Sequence, residues 1–213
     1  MANEFSAKYT NANVGQDAAH YDSELFLRLH DRMARLLPSS ELAAALLVAI
    51  LCAQSRGDTV VRLFQDIAKE KSEAEVRAIF IANLDYTTRG QETTTTLYRG
   101  VANSEVRQMT QQYFPEMSYY GRTTIFGFLV GSSPIFELKD TEILVAGSIA
   151  ALGATRQARS HVKCSISVGN SVETVLAMID TVKEVVAWNR RPLQGEIDVG
   201  QLAKELEQTM AEQ

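Results

Sequence analysis

The sequence predicts an all-α protein, on three observations. Apolar residues recur at three- and four-residue spacing in one segment after another. The period-two alternation of strands is nearly absent. Capping and stopping residues, among them Pro38, Gly153, Gly169 and Pro192, fall where helices of ordinary length would end.

Residues 1–17 are small and polar and read as an irregular arm. From Tyr21 to Leu37, a stripe of Leu25, Leu29, Met33 and Leu36/Leu37 opposes Arg28, Asp31, Arg32 and Arg35. This is an amphipathic helix ended by Pro38, with His20 and His30 in or beside it at the surface and without a role. Ser39 or Ser40 caps the next helix, Glu41 to Ala53, whose Ala, Leu and Val content allows burial on nearly all sides. Arg56-Gly57-Asp58 turns the chain into a helix from Thr59 to Lys69. Ser72-Glu73-Ala74-Glu75 is a capping box that opens another through Leu84.

Thr87 to Thr96 is polar and β-branched, so it reads as a loop or a continued helix. Asn103-Ser104 caps a helix from Glu105 to Tyr113, stopped near Pro115. The apolar run Thr123 to Val130 reads as helix, because a lone strand would have nothing to pair with, and Gly131 to Pro134 end it. Asp140 to Val168 gives two helices joined at Gly153-Ala154-Thr155 and closed by Gly169-Asn170-Ser171. A helix capped there runs to Trp188, Asn189 to Pro192 stop it, and Asp198 caps a short C-terminal helix.

Composition narrows the class. The chain has 213 residues, 46% of them hydrophobic, enough for an ordinary core, and is expected to form a single domain over 1–213. Lys and Arg number 21 against 26 Asp and Glu, a net charge of -5, and no basic stripe interleaved with aromatics is present, so no nucleic-acid partner is expected. The longest apolar run, Leu42 to Ala53, is too short to span a bilayer, and no basic-then-apolar leader is visible. Cys52 and Cys164 lie far apart without a metal-binding spacing and read as buried thiols of a reducing compartment. The expectation is a cytoplasmic protein with no membrane partner, no metal and no cofactor.

Chemistry concentrates between Asp140 and Val175. Gln157, His161, Cys164 and Val168 share one helical face, and Glu142 lies in the opening turn of the preceding antiparallel helix, within reach of the imidazole. Each has an ordinary explanation too: an acid suits a helix N-terminus, and a histidine on an apolar face is commonly a hydrogen-bonded core residue. Paired, they offer acid–base chemistry near neutrality. Arg122, Arg156 and Arg159 can grip a substrate carboxylate through a forked hydrogen-bond pair, and Gln157 can donate into the same site. Shifting the chain by 101 residues lays Glu41 on Glu142, Leu51 on Leu152 and Ile67 on Val168, with Val60 opposite His161, a pattern expected of an internal duplication.

Glu142, the run LGATRQARSH ending at His161, and the break and restart VGNSVETV resemble the carboxymuconolactone decarboxylase and alkylhydroperoxidase D-like family. The resemblance covers about 36 residues well and, through the duplication, about 140 weakly. It implies an alkylhydroperoxidase D-like helical bundle with pseudo-repeated halves, about 21–86 and 119–188, that assembles as a homo-oligomer. In the peroxidase branch two redox cysteines would occupy the positions of Ala154 and Gln157; neither is cysteine here, which argues against thiol-dependent peroxide reduction. The decarboxylase branch is the better match and implies a cofactor-free lyase using His161 and Glu142 on a small carboxylated or lactone-like substrate. The alternative is a non-catalytic member that keeps the helices as an oligomeric scaffold or ligand-binding module.

Overall fold

A computed structural model describes residues 18–68, 85–101, 105–132, 136–193 and 195–212. Every regular element among them is helical. In chain order these are α1 (Ser23–Ala34), α2 (Ser40–Ala53), α3 (Gly57–Ala68), α4 (Tyr86–Leu97), a 3-10 turn (Tyr98–Gly100), α5 (Glu105–Tyr113) and α6 (Pro115–Tyr120). A π-helix (Gly121–Val130), α7 (Leu138–Ala151), α8 (Thr155–Ser167), α9 (Val172–Trp188) and α10 (Val199–Ala211) follow. The all-α class is as the sequence predicts. The expected arm over 1–17, the helix expected from Ser72 and the cap at Asn103-Ser104 lie outside the described residues.

Helices begin where an oxygen-bearing side chain can accept the first orphaned amides. Asp22 Oδ1 accepts from the Leu25 amide at 2.9 Å, Ser39 Oγ from that of Leu42 at 3.2 Å, and Ser171 Oγ from that of Thr174 at 3.0 Å. Asp198 Oδ1 accepts from the Gln201 amide at 2.9 Å, the cap expected there. Gly153 and Gly169, with φ of 74° and 115°, take the left-handed conformation that ends α7 and α8 where the sequence breaks were expected.

The chain groups into two compact units, one of Met1–Val76, Leu144–Ala158 and Leu176–Ile197, the other of Arg77–Ile143, Arg159–Val175 and Asp198–Gln213. In the first, α1 packs on α2, and Phe26, Leu29, Met33, Leu46 and Ile50 are fully buried. Phe26 takes the core place expected of Leu25, which is only half-buried, because residues 26, 29, 30, 33 and 37 form the inward stripe. His30 is on that stripe, not at the surface: it is buried, and its Nε2 donates to the Ser40 carbonyl at 3.1 Å. Gly147 of α7 meets α2 closely, since a Cβ there would lie 2.7 Å from Leu46 Cδ1. The expected turn at Arg56-Gly57-Asp58 is shorter, with α3 starting at Gly57. Arg56, nearly fully buried, bonds both Asp58 oxygens, Asn189 Oδ1 and the Ala19 carbonyl, and lies 4.3 Å over the Trp188 ring. Trp188 itself donates to the His20 carbonyl and meets Phe26 edge-on. Cys52, expected to be buried, is exposed: α2 turns residues 42/43, 46/47 and 50/51 inward, which leaves position 52 on the opposite side.

In the second unit, the threonine-rich stretch is helix and not loop. Asp85 Oδ1 caps α4 by accepting from the Thr87 and Thr88 amides at 3.0 and 3.1 Å, and the hydroxyls of Thr94 and Thr95 donate to carbonyls one turn back. The apolar run predicted helical is wound as a π-helix, and Gly131 donates to Phe126 five residues back. It lies unusually close to α4. A Cβ on Gly90 would fall 1.9 Å from the Arg122 carbonyl oxygen, and one on Gly127 would fall 1.9 Å from that of Tyr86. The 3-10 turn that follows α4 is held by α10, where Leu206 Cδ1 lies 2.0 Å from where a Gly100 Cβ would stand.

Candidate active site

α7 presents Glu142 in its second turn, not the opening one, because the helix begins at Leu138 and Asp140 is its first-turn acid. The helix dipole therefore gives no account of Glu142, which is fully buried. α8 supplies His161, 8% exposed, whose Nδ1 lies 2.7 Å from Glu142 Oε1. The predicted meeting of imidazole and carboxylate is present. On the other side of the ring, Nε2 lies 3.1 Å from the hydroxyl of Tyr98, the first residue of the 3-10 turn. The two rings meet edge to face at 5.7 Å, and Phe126 of the π-helix abuts Tyr98 at 6.0 Å.

Partner chemistry sets the protons. With Glu142 ionised, Nδ1–H donates to Oε1 and Nε2 accepts from the Tyr98 O–H. The three groups form a hydrogen-bonded chain from a sealed carboxylate, through a nearly buried imidazole, to a half-buried phenol. Burial raises the Glu142 carboxyl above its usual range against the pull of its bond to His161. Burial also raises the Tyr98 hydroxyl, helped by the nearby Cys164 and Glu142 and opposed by Arg107, so the phenol is neutral at ordinary pH. Cys164, one turn beyond His161 and fully buried, is pushed up by burial and by Glu142, which favours its protonated form. Glu142, His161 and Cys164 each offer a donor atom, and all three atoms lie within 4.8 Å of one another.

The other residues expected at the site are elsewhere engaged or open to solvent. Arg159 is exposed and faces Glu205 of α10 at 3.7 Å, where Lys163 joins it at 3.4 Å. Arg156 and Gln157 are exposed. Arg122 is half-buried on the π-helix, where its carbonyl lies against Gly90 of α4. Tyr98 was missed: it lies 63 residues before His161 at the end of a stretch with no apolar period. Its one signal is the Tyr-Arg-Gly turn that follows the threonine-rich stretch. No helix among the described residues is long and apolar enough to cross a membrane. Compared with protein-family models, with curated proteins and with solved structures, the chain matches none of them.

Proposed function

We propose that the chain is a lyase of the carboxymuconolactone decarboxylase type, acting on a small carboxylated or lactone-like substrate. The observation that carries this reading is the 2.7 Å bond between His161 Nδ1 and Glu142 Oε1, with Tyr98 on the far ring nitrogen. Decarboxylation breaks the bond between the substrate carbon and its carboxylate. The electron pair passes into the conjugated system as carbon dioxide leaves, and a proton must then reach carbon. Tyr98, the most exposed of the three, delivers that proton. His161 replaces it from Nε2 after taking one from solvent, and Glu142 holds the imidazole in orientation and steadies its charge.

Two further features support the family reading. α2 and α7 begin at Ser40 and Leu138 and end at Ala53 and Ala151, and left-handed Ser55 and Gly153 follow them; each pair stands 98 residues apart. That register replaces the offset of 101 and supports a duplication in which Leu63 stands opposite His161 and Ala44 opposite Glu142. A homo-oligomer is part of the same reading. Tyr113, Phe114, Met117, Tyr120 and Leu129 are all exposed on a stretch, 105–130, whose two acids and two bases cancel within a chain of net charge -5. A second copy is the occupant such a neutral aromatic surface suits.

The test is carbon dioxide release from a panel of lactone acids and conjugated carboxylic acids. Parent protein turns over at least one member, and His161→Gln loses at least roughly a hundredfold in kcat/KM. Equal turnover by parent and variant sinks the assignment. The near-complete burial of Glu142 and His161 favours one other reading, a non-catalytic member in which the pair locks α7 to α8. There His161→Gln lowers stability while no compound in the panel reacts.

A further inference from the structure

Glu142 Oε2 is buried without a hydrogen-bond partner among the described residues. That is costly in either protonation state, because a bare oxygen lacks a donor and a protonated one lacks an acceptor. The carboxylate it belongs to is one of three neighbouring buried metal-binding groups. His161 and Cys164 are one turn apart on α8, facing Glu142 on α7, and the carboxylate oxygen, ring nitrogen and sulfur they offer lie within 4.8 Å of one another, all buried.

We propose that Glu142, His161 and Cys164 form a binding site for a divalent transition-metal cation, with zinc the best-matched ion. The proposal goes beyond the lyase reading and does not depend on it. A sulfur, an imidazole and a carboxylate together suit zinc far better than magnesium or calcium, which prefer oxygen alone. Zinc holds such donors at about 2.0–2.3 Å, which places them roughly 3.3–3.6 Å from one another in a tetrahedron. The Nδ1–Oε1 pair, now at 2.7 Å, opens to admit the ion, and the remaining donors draw inward from within 4.8 Å.

Tyr98 completes the arrangement. A ligating histidine commonly donates its other ring N–H to an outer partner, and the Tyr98 oxygen stands 3.1 Å from Nε2. On binding, the Cys164 thiol loses its proton to solvent, and the imidazole's remaining proton moves from Nδ1 to Nε2. Three protein ligands leave a fourth position open. Because the ion takes the carboxylate that orients His161, a loaded site cannot run the relay, so zinc is an inhibitor of any acid–base turnover there.

Cobalt(II) titrated into the full chain after chelator treatment is the probe. The expected result is saturation at one equivalent per chain, with a sulfur-to-cobalt charge-transfer band that zinc abolishes. Cys164→Ser removes the band, Cys52→Ser leaves it, and Tyr98→Phe weakens binding roughly ten- to a hundredfold. No band, or a band that disappears with Cys52 and not Cys164, overturns the proposal. Should Cys164→Ser lose its helical circular dichroism, Glu142→Gln and His161→Gln serve instead, and cobalt binding at parental affinity in either overturns it. Turnover by metal-free protein is a separate measurement, so the lyase reading stands or falls without this one.

Discussion

In the proposed relay, one phenol decides how the chain of hydrogen bonds meets solvent. Tyr98 is more exposed than His161 or Glu142, so Tyr98→Phe keeps the ring packing against Phe126 and His161 while removing the hydroxyl that bonds Nε2. In the lyase reading, kcat falls roughly a hundredfold while the variant's melting temperature stays close to the parent's, because a half-buried hydroxyl contributes only about 1 kcal/mol. Unchanged kcat would exclude Tyr98 as the proton donor. Glu142 yields a prediction in pH. Burial raises its folded value above that of the unfolded chain, so its contribution to stability is fully present below the unfolded value and is lost as pH rises through the folded one. Glu142→Gln cannot ionise, so its denaturation midpoint should fall less steeply than the parent's over that climb. Parallel slopes would show that the carboxyl is not raised.

Among the elements, α4 and the π-helix depend on two absent side chains. Gly90 and Gly127 each abut a carbonyl oxygen of the other helix, and neither backbone can yield as the end of a side chain would. Gly90→Ala and Gly127→Ala should each cost at least about 1–3 kcal/mol by chemical denaturation. They should also disturb Tyr98, whose ring rests on Phe126 of that π-helix. A neutral result at both would mean that the helices are not so close. This contact also marks where the sequence stopped being legible. Helices capped by Ser39, Ser171 and Asp198 could be read locally, as could the breaks at Gly153 and Gly169, because caps and left-handed turns are short-range physics. The Glu142–His161 spacing likewise showed in sequence, since two consecutive antiparallel helices bring fixed positions together. The Tyr98–His161 bond and the close approach of α4 to the π-helix join residues more than thirty positions apart, which no local period records.

For the molecule as a whole, the proposed assembly rests on the neutral aromatic stretch over 105–130. In the proposed homo-oligomer, Phe114→Glu with Met117→Glu places two carboxylates on exposed apolar sites. The sedimenting mass should then fall from a multiple of 23.5 kDa to 23.5 kDa itself, with helical content unchanged. A parent that already sediments as a single chain at micromolar concentration would rule the assembly out. Trp188, pinned between Phe26 and the Arg56 guanidinium, has one last consequence. It is the chain's sole indole and belongs to the first unit, whereas Tyr86, Tyr98, Tyr113, Tyr119 and Tyr120 belong to the second. Emission excited at the red edge therefore follows one unit, and tyrosine ellipticity in the near ultraviolet chiefly follows the other. Two optical signals thus report, without any label, whether the two compact units melt in concert or in turn.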